Sequence, residues 1–499
     1  MDMFKKNMIS FPKTKIINVK FDDFDKKLEP VSEPLKKESD RPKISYNFKV
    51  KNGFLEDGYG VKELTLPYNE GDRTEHKVDF GGKEMIGVWG FNWFDYSTLN
   101  NDTFIFVIDK NFDVFYVYEY FYSQMLFPTN LTFTSKPVFG EHRVKLNNTL
   151  IFSSPTDDLT LYAGGSQIFN FPNAKKFASC CVHENVFYAI ELEDCCKIMW
   201  ASDLDPYKLD EVEFSEFLFT GGEGGRLRQL FSLNDFVYVF RDNAIVKISA
   251  YSAKNELSVT HVYYSTSFIF PQTTERCGEY IVFLTREGLH LFNGKDVSKV
   301  DLEVFDLIDT SHYETFASAS QNGKYFLACK MNFDDGEKIG CENCQNGYKN
   351  NAVLIFDIEE GTAEILRGVD ISDFAPIESN IMSKLLCTFN NDNITKLGEF
   401  TTDGKIFGED VLKKWTSVST DFGYFGKTKV VKGISILSKE DCKITIKSDI
   451  ESKIIEIKGK ERPQKIKTKV KGKIFDITFS SQTSKQKISS PEFEVEVLL

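Results

Sequence analysis

The most distinctive chemical pattern in the sequence is a run of alternating lysines: Lys465, Lys467, Lys469, Lys471 and Lys473. Successive side chains of a β-strand point to opposite faces, so this spacing predicts five ammonium groups on one face of a strand. Two interpretations remain open. The strand is either a basic rim that contacts DNA or an acidic partner, or a solvated edge strand whose lysines prevent edge-to-edge aggregation.

Cys341 and Cys344 have the spacing of half a zinc site. Tetrahedral zinc needs four ligands, and the adjacent pairs Cys180–Cys181 and Cys195–Cys196 lack the spacing of a second half. We therefore expect incidental thiols, with a metal or disulfide clip as the alternative, and we predict no cofactor. The surrounding segment 333–350 is long and polar, which predicts a loop that projects from the fold.

The remaining chemical motifs favour turns over catalysis. The cluster Gly221–Arg226 and the segment Gly423–Thr428 are rich in glycine, but each precedes strand-like sequence, whereas a phosphate-binding loop opens a helix. The histidines are scattered, and no G-x-S-x-G nucleophile elbow is present. No residue is nominated for catalysis, so we predict a protein that is not an enzyme.

The composition favours a large all-β protein. The chain has 499 residues, and its 46 Phe and 20 Tyr suit pleated surfaces. The net charge of −13 argues against wrapping nucleic acid over the whole surface, while a basic C-terminal block keeps local polyanion contact open. The start of the chain lacks a signal-peptide core, and no run of about 18 apolar residues predicts a membrane span. The thiols are then expected to be reduced.

These residues must be positioned by strands, because short apolar runs bounded by Asn, Asp and Gly recur from about residue 46. Four of them have a hairpin partner across a tight polar turn. These hairpins are Phe104–Ile108 with Val114–Val117, Phe236–Phe240 with Ala244–Ile248, Tyr280–Leu284 with Leu289–Phe292, and Val353–Ile358 with Ala363–Leu366. About seven such units fit between residues 100 and 400, a period typical of β-propeller blades.

The predicted organisation therefore has three parts. Residues 1–45 form a charged arm, extended or bound to a partner, because they cannot bury enough apolar area alone. Residues 46–405 form a β-propeller of about seven blades. Residues 406–499 form a small β-sandwich. Short helical turns are expected only at Asp301–Asp309 and Gly408–Lys414.

Three stretches resemble the tail nozzle and packaged-DNA-stabilisation proteins of tailed bacteriophages and prophages. They are the opening segment Tyr46–Gly60, the repeat-like pair Leu233–Tyr251 and Gly278–Asp296, and the segment from Trp415 through Asp421-Phe-Gly to Ser448. The insertion 333–350 and the charged N-terminal arm depart from that pattern. The resemblance implies a non-enzymatic structural subunit of a tail or head–tail junction that retains or passes DNA and attaches the tail.

The partners implied are further copies of the chain in a ring (a hexamer is one size considered), neighbouring tail or connector proteins, and transiently genomic DNA. The implied location is the virion tail, after synthesis in the bacterial cytoplasm. One alternative is a propeller that recognises a glycan or protein, with Trp89, Trp93 and Trp200 as candidate contact residues. Another is a propeller-based glycosidase or lyase, which carboxylates with raised pKa in the central funnel would favour.

Overall fold

The structure is a computed structural model, and it describes most of the chain. The described residues are 14–20, 24, 42–67, 75–78, 80–95, 100–118, 127–143, 148–164, 167–202, 204–219, 224–251, 256–343, 348–378, 383–391 and 394–499. Within these ranges no helix is long and apolar enough to cross a membrane.

Seven antiparallel sheets form the blades of a β-propeller, as the sequence predicts. In each of the first six blades, four consecutive strands pair in chain order. Blade one comprises Met85–Asp95, Asn100–Asp109, Asp113–Tyr118 and Phe127–Thr132; blade two Val138–Arg143, Asn148–Ser153, Leu159–Tyr162 and Ile168–Phe171; blade three Phe177–His183, Val186–Glu191, Lys197–Ala201 and Ser215–Leu218; blade four Leu227–Leu233, Phe236–Arg241, Ala244–Tyr251 and Glu256–Tyr264; blade five Glu275–Cys277, Tyr280–Thr285, Gly288–Phe292 and Val297–Lys299; and blade six Ala317–Gln321, Lys324–Cys329, Ala352–Asp357 and Thr362–Arg367. All four predicted hairpins are confirmed.

Blade seven combines strands from two distant parts of the chain. Its first three strands are Asp370–Glu378, Ser383–Asn391 and Ile394–Thr401, and its fourth is Gly60–Glu63, antiparallel to the third. The short strands Lys405–Ile406 and Glu409–Asp410 extend this sheet. The N-terminal part of the chain therefore supplies the outer strand of the last blade.

Apolar clusters between neighbouring blades hold the ring together. Each blade is a twisted sheet that buries both faces, so its central strands are continuously apolar, as in Phe104–Ile108 and Val353–Phe356. One cluster joins Val88 and Ile105 of blade one to Ala375 and Ile377 of blade seven. This contact closes the circle.

The remaining strands form a two-sheet sandwich with its own core. Sheet one has the order Thr14–Lys20, Glu492–Leu498, Thr428–Ser438, Lys487–Ser489, Phe54–Asp57, Phe48–Lys51, and Lys460–Gly472 also pairs with Thr428–Ser438. Sheet two has the order Pro42–Tyr46, Lys413–Ser417, Phe475–Ser481, Cys442–Ser448, Ser452–Ile457. Trp415, Ile434 and Phe493 lie in the core between the sheets.

The domain limits differ from the predicted ones. The described parts of the predicted arm, including Thr14–Lys20 and Phe24, belong to the sandwich, and the propeller begins at Gly60 instead of residue 46. The propeller is thus inserted between Phe54–Asp57 and Lys413–Ser417 of the sandwich. The difference arises because these pairings join residues hundreds of positions apart, which local patterns do not indicate.

The helical content is limited to short 3₁₀ turns in the described chain. They span Pro206–Lys208, Pro271–Thr273, Glu303–Leu307, Thr310–Thr315 and Gly340–Asn343. The turn predicted within Asp301–Asp309 is therefore confirmed, whereas Gly408–Lys414 contains strand residues instead. A small hairpin of Thr65–Pro67 and Glu75–Lys77 forms a separate two-stranded sheet, and its Leu66 is buried in the cluster between blades one and seven.

Candidate functional site

The predicted lysine strand lies at an edge of sheet one. We call Lys460–Gly472 the lysine strand; it pairs antiparallel with Thr428–Ser438. Its exposure alternates as predicted: Lys465, Lys467, Lys469 and Lys471 are exposed, while Val470 is buried in the sandwich. Lys473 follows the strand and is also exposed. The structure therefore places all five predicted residues together on the sandwich surface.

A row of carboxylates runs parallel to these lysines on the outer face of sheet one. One strand, Thr428–Ser438, separates the lysine strand from Glu492–Leu498, which carries Glu492, Glu494 and Glu496. Lys465 Nζ lies 2.6 Å from Glu494. A hydrogen bond from Lys465 lowers the pKa of Glu494, and the carboxylate in turn raises the pKa of Lys465. The other four lysines form no ion pair within the described chain. Most of the positive charge of these five lysines therefore faces solvent.

Gly433 creates the gap through which this ion pair forms. It lies on the intervening strand, directly between Lys467 and Glu494 in the register. A Cβ there would lie 3.7 Å from Lys465 Cε and 3.8 Å from Glu494 Cβ. A larger side chain would therefore separate the two rows of charge.

The predicted cysteine pair is placed only in part. Cys341 is half-buried in the turn Gly340–Asn343, whereas Cys344 lies outside the described residues. Within the described ranges, no group of three or more His, Cys, Asp or Glu side chains is arranged to hold a metal ion.

The described part of the segment around Cys341, residues 333–343 and 348–350, does not project from the fold, contrary to the prediction from its polar composition. It folds back on blade six, where Glu342 and Asn351 are buried. The reason is Arg367, whose side chain is only 2% exposed and whose guanidinium lies 3.1 Å from Asp335 and 3.0 Å from Glu342. The carboxylates of Asp335 and Glu342 compensate for burial of the Arg367 charge, so this polar segment becomes part of the interior.

This buried cluster also joins the propeller to the sandwich. The Tyr46 hydroxyl donates to Asp335 at 2.8 Å, and Lys414 Nζ donates to the same carboxylate at 3.0 Å. Burial opposes ionisation of Asp335, but the Tyr46 hydrogen bond and the charges of Arg367 and Lys414 outweigh it and lower its pKa. We call Arg367, Asp335, Glu342, Tyr46 and Lys414 the junction cluster.

Asn47 completes the junction through the backbone. It is buried at a positive φ of 60°, and its side-chain oxygen accepts from the Arg367 amide at 2.8 Å. Its Nδ2 donates to the Leu412 carbonyl at 2.9 Å. Sequence reasoning missed this set; the only local signal was the conformational tolerance of asparagine.

The second candidate site is the mouth of the propeller's central channel. A cavity of about 360 Å³ lies where the first and second strands of the blades turn. Its described lining includes the carboxylates of Glu141 and Glu378, the amides Asn92, Gln321 and Asn322, and no lysine or arginine. The mouth is therefore polar with an acidic character.

Glu275, on the innermost strand of blade five, is the channel-strand carboxyl with the clearest perturbation. Burial raises its pKa to about 8, against the opposing effect of a hydrogen bond from the Arg276 amide. No second carboxylate among the described residues contributes to that shift.

The tryptophans proposed as ligand contacts pack between blades. Trp200 is buried between blades three and four, and Trp89 stacks on Phe139 of blade two at 5.1 Å. Trp93 donates from Nε1 to the Ala163 carbonyl at 3.2 Å. These rings fill inter-blade space instead of forming a platform for sugars.

Comparison with known proteins identifies no family for this chain. No family model and no curated protein matches the sequence. Among solved structures, BBS1N in complex with ARL6DN is 9% identical over 72% of this chain and 98% of that chain, with a TM-score of 0.41. An exo-β-1,3-galactanase from Phanerochaete chrysosporium is 9% identical over 63% of this chain and 95% of that one, with a TM-score of 0.25. Raptor from Chaetomium thermophilum is also 9% identical, over 72% and 30%, with a TM-score of 0.30.

Proposed function

We propose that this chain is a non-enzymatic structural subunit of a phage tail or head–tail junction, of the nozzle or tail-channel type, and that copies of it assemble as a ring. The observation that carries the proposal is the separation of charge between its two units. The exposed lysines of the lysine strand lie on the sandwich, whereas exposed carboxylates lie at the described channel mouth and on the rim of blade three. Opposite charges on different faces of one chain favour head-to-tail contacts, which close into rings when the rotation permits.

The rim of blade three offers a surface of the required sign. Asp205, Asp210, Glu211 and Glu213 are exposed there. Leu218, on the outer strand of the same blade, is 56% exposed. Carboxylates beside an exposed apolar side chain form a surface that the lysine strand of a neighbouring copy can neutralise. Such a contact should weaken as salt screens it.

A DNA duplex is too wide to enter a cavity of about 360 Å³, so the acidic mouth would border a DNA path through the lumen of the ring. Phosphates are repelled at close range by carboxylates such as Glu141 and Glu378, and the lining contains no described cation that would hold them. A subunit of this kind would guide DNA while its basic surface is used for assembly or for occasional backbone contact.

The test is the mass of the assembled protein, measured by native mass spectrometry and by cryo-EM of particles from the source. A closed ring, or a fixed copy number in a tail, is expected for the unaltered chain. The triple variant Lys467→Glu/Lys469→Glu/Lys471→Glu should dissociate that ring at lower salt.

The matched control reverses three exposed lysines elsewhere on the sandwich: Lys443→Glu/Lys447→Glu/Lys453→Glu. It changes the net charge equally, so an equal effect of both variants would contradict a contact at the lysine strand. A stable monomer that is absent from particles would contradict the whole proposal and turn attention to ligand recognition by the propeller.

A further inference from the structure

The N-terminal strand, Thr14–Lys20, is held by one edge of the sandwich only. It pairs antiparallel with Glu492–Leu498 along its full length, from Thr14 opposite Leu498 to Lys20 opposite Glu492. No other described strand pairs with its second edge. The strand is therefore an addition to sheet one, not a central part of it.

The segment carries its own anchoring contacts. Ile17 and Val19 pack against the sandwich core, and Phe24 is only 2% exposed. The Phe24 ring meets Trp415 edge-on at 4.9 Å and Phe479 at 5.6 Å. Other side chains of the strand face outward, such as Ile16, which is 63% exposed. The strand Thr14–Lys20 and the buried ring of Phe24 together hold this N-terminal segment on the sandwich.

The covalent connection from this unit to the rest of the sandwich is long. Residues 25–41 separate Phe24 from Pro42, and about 17 residues span up to roughly 55–60 Å when extended. A compact unit of about 100 residues has a radius of gyration near 13 Å, hence a diameter of about 34 Å. The segment is therefore long enough to reach the same site on an adjacent copy.

We propose that copies of this chain exchange the segment Thr14–Phe24 when they assemble. Each copy then pairs its N-terminal strand with Glu492–Leu498 of its neighbour and places Phe24 beside the neighbour's Trp415. The contacts are the same within one chain and between chains, so exchange sacrifices none, and local concentration decides between the two forms. This inference rests on the proposed ring and adds the element that links its subunits.

The test uses two variants with one added cysteine each, Ile16→Cys and Glu496→Cys, co-expressed with different tags. Ile16 lies directly opposite Glu496 in the register, where Cβ atoms are about 4.5–5.5 Å apart, close enough for a short thiol cross-linker. Exchange predicts a covalent pair containing one chain of each tag at about a quarter of the junctions, the share expected from random mixing.

The matched control pairs Ile16→Cys with Glu492→Cys, which lies on the same strand and face but four positions away, about 13 Å. It should give no mixed pair, and neither should the unaltered chain with its native cysteines. A single chain carrying both Ile16→Cys and Glu496→Cys reports whether the strand is paired within its own chain.

The outcomes separate the two proposals. Rings with mixed covalent pairs support exchange, whereas rings that cross-link only within each chain overturn it and leave the ring intact. Mixed pairs in dimers without rings support exchange and contradict the ring. Monomers cross-linked only internally contradict both.

Discussion

The buried arginine at the junction between blade six and the sandwich gives the most stringent test of how the two units are held together. In Arg367→Met, a side chain of similar length remains while the charge is removed. Arg367 is 2% exposed and donates to Asp335, to Glu342 and to the Glu337 carbonyl. The guanidinium also lies over the Phe333 ring at 4.0 Å.

The expected cost follows from what the carboxylates lose. Asp335 keeps a counter-charge, because Lys414 remains 3.0 Å away. Glu342 keeps only neutral donors, the Asn351 amide and the Ile339 backbone N–H. Breaking a buried ion pair by removing one partner costs about 3–5 kcal/mol. For a chain of 499 residues that unfolds as one cooperative unit, this corresponds to about 3–5 °C of melting temperature.

The assay is thermal unfolding followed by circular dichroism, with Arg286→Met as the control because Arg286 is exposed. The control should stay within about 0.5 kcal/mol of the unaltered chain. The double variant Arg367→Met/Glu342→Gln should regain about 1–2 kcal/mol relative to Arg367→Met, since it removes the unpaired charge. Equal stability of Arg367→Met and Arg286→Met would refute the argument that this cluster joins the units.

Three further predictions concern single positions. Phe24→Ala should destabilise the sandwich by about 3 kcal/mol, because it leaves a cavity beside Trp415. Limited proteolysis of the N-terminal segment should then be faster, and an unchanged cleavage rate would contradict the packing of Phe24 in the sandwich core. Gly60→Ala should open blade seven, because the new Cβ would collide with the Lys405 carbonyl oxygen. The control Gly408→Ala has open space around its Cβ and should cost only about 1–2 kcal/mol of left-handed backbone strain. Amide hydrogen exchange in Ile394–Thr401 distinguishes the two variants. Glu275→Gln should remove a pH dependence of stability. The folded pKa of about 8 lies above the unfolded value of 4.5, so the free energy of unfolding of the unaltered chain rises by up to a few kcal/mol as pH falls from 8 towards 4.5. Parallel melting curves of both proteins across that range would contradict the raised pKa.

Features that depend on neighbouring residues could be predicted from the sequence. The hairpin Phe236–Arg241 with Ala244–Tyr251 has its apolar run, its polar turn and its partner strand within a short window. The outward face of the lysine strand could also be predicted, because lysine stands at every second position and successive side chains of a strand face opposite sides. Local pattern and final structure agree at these places because the hairpin partner is close in sequence and the alternation of the lysine strand needs no partner to be predicted.

Features that depend on distant partners could not be predicted in this way. Gly60–Glu63 pairs with residues 398–401, and nothing near Gly60 indicates that partner. The segment containing Glu342 was predicted to project because its composition is polar, yet one buried guanidinium, that of Arg367, makes its burial favourable. A buried ion pair leaves no hydrophobic signal, so the sequence does not predict the junction cluster. The boundary of the sandwich is missed for the other reason, the pairing of strands that are distant in sequence.

The insertion of the propeller into the sandwich makes closure of one unit depend on the other. Phe54–Asp57 of the sandwich leads within two residues to Gly60–Glu63, the strand that completes blade seven. Asp57 is fixed from the opposite side by the Gln486 amide at 3.3 Å and by Lys413 Nζ at 3.4 Å. Both chain crossings between the units are thus anchored in the sandwich, beside the strand that closes the propeller. Unfolding the sandwich should therefore release Gly60–Glu63 and open the ring of blades, so that the two units unfold together although each has a separate core.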